Sequence, residues 1–152
     1  MLLTRPDGVT IAQVSASDPR LIAVRDLCYH TLHRPFGVTR NDAWNEADPA
    51  STHVLALDEG CVAGYVRLIL EGGGAHVRQV AVPTAYRGRG IATDLVGCAI
   101  TRARELEAPY AYLNARERAV GIYERLGFHV TGASFRMGRT FLPHVRMELR
   151  LR

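Results

Sequence analysis

With 152 residues, 47% of them hydrophobic, the chain suits a single domain (residues 1–152) with its own core and not a fibrous or disordered polymer. Its net charge of +4 rests on 19 basic residues, all of them arginine, so a Walker lysine and a Schiff-base lysine are both excluded. Cys28, Cys61 and Cys98 are an odd number at wide spacing, and no apolar run reaches the roughly 20 residues of a membrane span, so neither a disulfide framework, a zinc site nor a membrane span is expected. The start, MLLTRPDG, lacks an apolar h-region, and a cytoplasmic protein is the expectation.

Val9–Val14 alternates as a first strand, and Asp18 followed by Pro19 marks the start of a helix. Leu21, Val24, Cys28 and Leu32 form its apolar stripe, which should end near His33, before Pro35. Residues 36–51 read as loop with a short helix around Trp44. His53–Leu57 and Cys61–Leu70 are strands joined by a turn at Asp58, Glu59 and Gly60. Glycines 72–74 lead to a strand, Ala75–Val82, whose strict alternation would put His76, Arg78, Val80 and Val82 on one face. Ile91, Leu95, Cys98, Arg102 and Leu106 then recur at helical spacing. A strand at Tyr110–Asn114 precedes a second helix with Ala119, Ile122, Tyr123 and Leu126 on one side, closed by Gly127. Strands around Gly132 and at His144–Leu149 complete a mixed sheet with helices on both faces.

The stretch Arg87-Gly88-Arg89-Gly90-Ile91-Ala92 joins strand to helix. Its glycines permit a tight turn with outward N–H groups, and the helix behind it begins with donors that lack intrahelical partners. The helix dipole contributes about 0.3–1 kcal/mol toward an anion there, and two arginines add full charges, so the turn suits a pyrophosphate. Elsewhere Arg102, Arg104, Arg116, Arg118 and Arg125 mingle with Glu105, Glu107, Glu117 and Glu124, as on solvated helix faces, which argues against a nucleic-acid groove.

Val-Ala-Val, a proline, and then Arg87, Gly90 and Ala92 in the spacing Gln or Arg, two residues, Gly, one residue, Gly or Ala resemble the acetyl-CoA signature of the GNAT N-acetyltransferases. Two further segments agree in order: Ile122-Tyr123-Glu124-Arg125-Leu126-Gly127-Phe128, and the ending PHVRMEL. The resemblance is strong from Gln79 to Phe128 and weak before residue 50. It implies the GNAT α/β fold, a mixed and mostly antiparallel sheet flanked by helices. It also implies an acyltransferase that uses acetyl-CoA as co-substrate, without a metal, on a small-molecule or peptide amine. Neither nucleic acid nor membrane is an implied partner, and a homodimer is compatible with it.

By the same resemblance, the backbone of Val80, Ala81 and Val82 would pair with the pantetheine arm of CoA. The N–H of Val82 would face the developing oxyanion, and Arg87, Gly88, Arg89, Gly90, Ile91 and Ala92 would hold the pyrophosphate. Tyr123 would return a proton to the thiolate, or else be a core tyrosine with a hydrated tip. Where the family often carries an asparagine, seven residues before this tyrosine, the chain has Arg116; Asn114 is the secondary candidate for contacting CoA.

An acceptor amine must lose a proton, and His76, six residues before Val82, has a suitable pKa to take it, with Glu71 or a water relay as alternatives. His144 and Glu148 could face the acceptor, and Phe36 and Trp44 could line its pocket. His30 and His33 lack a carboxylate at ligand spacing, so no metal is expected. A module that binds acyl-CoA without turnover is the alternative function.

Overall fold

A computed structural model of the protein describes residues 2–33, 50–137 and 142–152. In chain order these form β1 (Leu2–Thr4), β2 (Thr10–Val14), α1 (Leu21–Cys28) continued by a π turn (Tyr29–His33), β3 (Thr52–Asp58), β4 (Cys61–Glu71) and β5 (Gly74–Ala81). A 3-10 turn (Thr84–Tyr86), α2 (Ile91–Glu105), β6 (Tyr110–Arg116), a second 3-10 turn (Glu117–Ala119), α3 (Val120–Arg125), β7 (His129–Val130), β8 (Phe135–Met137) and β9 (Leu142–Arg150) follow. The nine strands make one sheet in the order β1-β2-β3-β4-β5-β6-β9-β7, with β8 on β9. Among the described pairings only β5–β6 is parallel, so the mixed, mostly antiparallel sheet expected from the sequence is present. The expected helix around Trp44, and Phe36 with it, lie outside the described residues.

Tight hairpins build the middle of the sheet. Glu59 and Gly60 turn β3 into β4 with φ of 48° and 87°, and Gly72 and Gly73 turn β4 into β5 with φ of 65° and 84°. Two consecutive left-handed residues match the twist of the strands they join.

Period-two alternation along β4 then divides the core between two faces. Val66 and Leu68, with Val54 and Val77, pack under Ile91, Leu95, Val96 and Ala99 of α2. Tyr65, with Leu55 and Ala81, packs under Leu21, Val24 and Cys28 of α1. Helix α2 lies so close to β4 that a Cβ on Gly64 would stand 2.8 Å from Leu95 Cδ1, which is why that strand position carries no side chain.

Four points depart from the sequence reading. Helix α1 begins at Leu21, because Asp18 instead closes a turn by accepting the Arg20 N–H at 2.9 Å and pairing its guanidinium. That pairing holds the Asp18 carboxyl down at about 2. On α3 it is Val120, Tyr123 and Leu126, three apart, that pack inward, while Ile122 is 38% exposed on this six-residue helix. The amino-terminal pairing of β1 with β2 was not foreseen, since Leu2–Thr4 is too short and too exposed to show a pattern.

The fourth correction concerns β5. Its register with β4 runs Arg67–Arg78 and then Tyr65–Ala81, two residues against one, with Gln79 at φ 55°. This β-bulge reverses the parity of everything after it. His76 and Arg78 share a face, as expected, and it is the α1 face, but Val80 and Val82 turn to pack against the α2 cluster, and Ala81 joins the α1 cluster.

Candidate functional site

Strands β5 and β6 are bonded only at Ala75–Ala111 and His76–Tyr112. Beyond that point β6 supplies no partner for Val77–Ala81, and β5 none for Leu113–Arg116. A wedge therefore opens in the sheet, edged by strand backbone whose groups seek hydrogen bonds as a free strand edge does. Its closed end lies at His76 and Tyr112. Its open end leads along Val80, Ala81 and Val82 to the glycine turn.

In that turn Gly88 and Gly90 have φ of 79° and 80°, and nothing lies within 4 Å of where their Cβ atoms would be. Gly90 caps α2 without a side-chain bond, and the first intrahelical bond runs from the Asp94 N–H to the Gly90 carbonyl at 3.2 Å. The N–H groups of Ile91, Ala92 and Thr93 thus stand ahead of the helix's own ladder, the arrangement that accommodates a phosphate. Arg87 is exposed and ties the turn to the strand end by donating Nε–H to the Val82 carbonyl at 3.0 Å. Arg89 lies over the Tyr86 ring at 5.2 Å, and the Tyr86 hydroxyl donates to Asp58 at 2.9 Å.

Sequence reasoning missed Arg5. Its side chain is only 10% exposed, and its guanidinium donates to Asp7, to Asp94 in the first turn of α2, and to the Arg89 carbonyl at 2.6 Å. A carboxylate beside an anion site would repel the anion; here it is paired. These contacts also raise the Arg5 pKa, with the Asp7 bond the largest cause. Nothing in the local sequence around Arg5 signals this role, since its partners lie 84 and 89 positions away.

At the closed end of the wedge three strands present one stack. His76 of β5 lies on the Tyr112 ring of β6 at 4.4 Å and 18°, and Arg146 of β9 lies over the same ring at 4.3 Å. Tyr112 donates its hydroxyl hydrogen to the Glu71 carbonyl at 2.9 Å, and His76 Nδ1 meets the Glu71 carboxylate at 3.2 Å. With the carboxylate accepting, Nδ1 carries the hydrogen and Nε2 keeps its lone pair. Burial lowers the His76 pKa, the Glu71 bond opposes this, and the charges of Arg78 and Arg146 lower it further. The imidazole is therefore neutral at pH 7. His76 and Glu71, weighed as alternatives from sequence, stand together as one hydrogen-bonded pair. Tyr112 carried no signal beyond its place in a strand.

Tyr123 lies on α3 with its ring packed against the α2-side core and edge-on to Phe128 at 6.1 Å. Burial raises its pKa, partly offset by the charge of Arg116. Arg116, at the end of β6, reaches the Leu32 carbonyl at 3.3 Å and so links the open half of the wedge to the π turn after α1. Asn114 is half-buried opposite Arg146. His144 is 7% exposed and donates Nδ1–H to the Leu142 carbonyl at 2.7 Å, whereas Glu148 accepts from Arg146 Nε at 3.2 Å. No group of three His, Cys, Asp or Glu residues is placed to hold a metal ion among the described residues, and no described helix is long and apolar enough to cross a membrane.

Comparison with known proteins follows this geometry. The sequence profile of the acetyltransferase (GNAT) family matches residues 20–128. No curated protein gives a significant sequence match. Among solved structures, an acyl-CoA N-acyltransferase from Pseudomonas aeruginosa is 21% identical with a TM-score of 0.78, covering 93% of this chain and 99% of its own. An aminoglycoside 6'-acetyltransferase type Ii is 20% identical with a TM-score of 0.77, covering 93% and 97%. An aminoglycoside 6'-N-acetyltransferase solved with coenzyme A is 18% identical with a TM-score of 0.74, covering 93% and 97%. At such identities these likenesses establish the fold.

Proposed function

Because the chain belongs to the GNAT acetyltransferase family, we propose that it transfers an acetyl group from acetyl-CoA to a primary amine by direct attack, in the cytoplasm. The observation that carries this reading is the wedge between β5 and β6, which runs from a helix N-terminus suited to phosphate up to a neutral, carboxylate-bonded histidine.

In this reading the pyrophosphate rests on the amides from Arg87 to Ala92, and the pantetheine arm pairs with the unpartnered backbone of Val80 to Val82. That pairing is main-chain chemistry, and the bulge at Gln79 alters which of these N–H and C=O groups face the wedge. An ammonium of ordinary pKa costs roughly 4–5 kcal/mol to deprotonate at pH 7, and Nε2 of His76 takes that proton. The amine nitrogen then bonds to the thioester carbonyl carbon toward the closed end of the wedge, where an unpartnered N–H of β5 between Val77 and Val80 stabilises the oxyanion, because Val82, six residues from His76, lies too far along the strand to do so. The intermediate collapses as the C–S bond breaks, and Tyr123 gives its hydroxyl proton to the departing thiolate.

The test is calorimetric titration with acetyl-CoA, followed by measurement of free CoA thiol in the presence of an amine panel. Binding with thiol release supports the enzyme. Binding without release for every amine identifies an acyl-CoA-binding module instead, and absence of binding overturns both.

A further inference from the structure

We propose that Tyr112 is a positioning residue for acyl transfer: its ring and its hydroxyl tie His76 and Glu71 together to the opposite wall of the wedge, and so hold the lone pair of His76 Nε2 where the acceptor amine meets the thioester. This rests on the acetyltransferase reading and adds to it a residue that acts only through the base.

The wedge creates the need. Backbone bonding between β5 and β6 ends at the pairs Ala75–Ala111 and His76–Tyr112, so a base at position 76 sits on the last bonded rung, at the fork. Beyond it the strands separate, and main-chain bonding no longer fixes where a β5 side chain stands relative to β6. A misplacement of about 1 Å in a reacting group costs roughly a hundredfold in rate, so the imidazole has to be fixed by side chains.

Tyr112 supplies two constraints. Its ring, 7% exposed, lies against the imidazole at 4.4 Å between centroids and 18° between planes, which sets the tilt of the base. Its hydroxyl donates to the Glu71 carbonyl at 2.9 Å, which anchors the residue whose carboxylate accepts from His76 Nδ1–H at 3.2 Å. Glu71 pairs with Gly74 at the hairpin end, two positions beyond Ile69, the partner of His76. The Nδ1 bond therefore draws one edge of the ring toward the hairpin tip. The two ring nitrogens point in nearly opposite directions, so Nε2 is left toward the opening of the wedge. Arg146 of β9 lies over the same tyrosine ring at 4.3 Å, so Tyr112 is itself held from the next strand.

In the reaction the ammonium proton passes to Nε2, and the electron pair freed on the amine nitrogen forms the bond to the carbonyl carbon. The imidazolium keeps its Nδ1–H on the Glu71 carboxylate until Nε2 releases the proton to water.

Tyr110 provides the contrast. Its hydroxyl donates to the next hairpin carbonyl, that of Gly72, at 2.8 Å, and its ring lies where a Cβ on Gly74 would come within 2.5 Å. Both tyrosines clasp the same hairpin to β6, but among the described residues only Tyr112 carries the imidazole on its ring.

The experiment compares Tyr112→Phe, Tyr110→Phe and His76→Gln by thiol release from acetyl-CoA with the best amine of a panel. Tyr112→Phe keeps the ring and loses the hydroxyl. It should lower kcat about tenfold, with acetyl-CoA affinity by calorimetry and the KM for the amine both within about twofold of wild type. Tyr110→Phe should lower Tm yet leave kcat within about twofold. In a His76→Gln background, Tyr112→Phe should change kcat by less than about twofold, because no base is left to position. An unchanged kcat in Tyr112→Phe, equal losses in the two tyrosine variants, or a full loss in the His76→Gln background overturns the inference and leaves the acetyltransferase reading intact.

A spectroscopic arm needs no turnover. In protein labelled with 15N-histidine, the His76 resonances, assigned by their loss in His76→Gln, should show the hydrogen on Nδ1, and Tyr112→Phe should speed its exchange with water about tenfold. A hydrogen on Nε2, or exchange unchanged in Tyr112→Phe, overturns the inference even if no amine reacts. Failure of acetyl-CoA to bind removes the acetyltransferase reading, and calorimetry sees that separately.

Discussion

Arg5→Ala tests whether the phosphate turn is protected by charge pairing. Two effects add. The substitution removes partly buried charged hydrogen bonds to Asp94 and to the Arg89 carbonyl. At about 1.5–3 kcal/mol for bonds to charged groups, discounted for the 37% exposure of Asp94, the loss of stability is about 2 kcal/mol, or roughly 4–8 °C in Tm for a chain of this length.

It also leaves Asp94 unpaired four residues into α2, about 6 Å along the axis from Gly90 and so about 8 Å from a bound phosphate. At an effective dielectric constant near 20 and physiological salt, each phosphate charge then meets about 0.8 kcal/mol of repulsion. A pyrophosphate meets about 1.5 kcal/mol, close to tenfold in Kd. Calorimetry with acetyl-CoA reads the affinity and thermal denaturation reads the stability. Adding Asp94→Asn to Arg5→Ala should restore most of the affinity but little of the Tm. An affinity within twofold of wild type in Arg5→Ala, or no recovery in the double variant, would refute the electrostatic argument.

Other consequences are equally direct. Gly90→Ala meets no steric clash but forces an L-residue to φ 80°, so it should cost about 1–2 kcal/mol, seen as a lower urea midpoint, with weaker acetyl-CoA binding. Leu95→Ala empties a fully buried site beneath α2 and should destabilise by about 3–5 kcal/mol, again by urea titration. Tyr123→Phe should lower kcat while leaving acetyl-CoA affinity within twofold; unchanged kcat would make Tyr123 a packing residue only.

The pH dependence has a definite sign. His53 and His76 both have folded-state pKa values lowered below 6.5, chiefly by burial. The unfolded chain therefore binds more protons than the native one around and below 6.5, so their contribution to stability is full above that value and is lost as the pH falls. In activity, kcat/KM should rise with pH along a limb that lies below 6.5, and His76→Gln should abolish that limb.

How much could be read from sequence varied with the range of the forces involved. The hairpins at Glu59–Gly60 and Gly72–Gly73, the α2 stripe and the glycine turn are local, and residue type specifies each of them. The bulge at Gln79 was not legible, because glutamine gives no sign of a left-handed φ and the apolar pattern Val-Ala-Val reads the same in either parity. Arg5 was invisible because its partners lie on another element, and Tyr112 because an aromatic in a strand usually means core packing. His53, Tyr65 and Arg67 form a buried polar set, with His53 Nδ1 2.7 Å from the Tyr65 hydroxyl. Their only trace in sequence is one histidine in β3 and Tyr65 with Arg67 two positions on in β4, within strands that are otherwise largely apolar.

The two-pair junction of β5 with β6 makes the sheet mechanically two plates riveted at one spot. One plate is β1 to β5 and the other is β6 with β7, β8 and β9. A long thin molecule bonded to both edges would act as an inserted splint, so occupancy should stiffen the entire molecule and not merely the groove. Deuterium uptake would then slow at Val77–Ala81 and Leu113–Arg116 together, on opposite sides of the seam, even where no ligand atom touches.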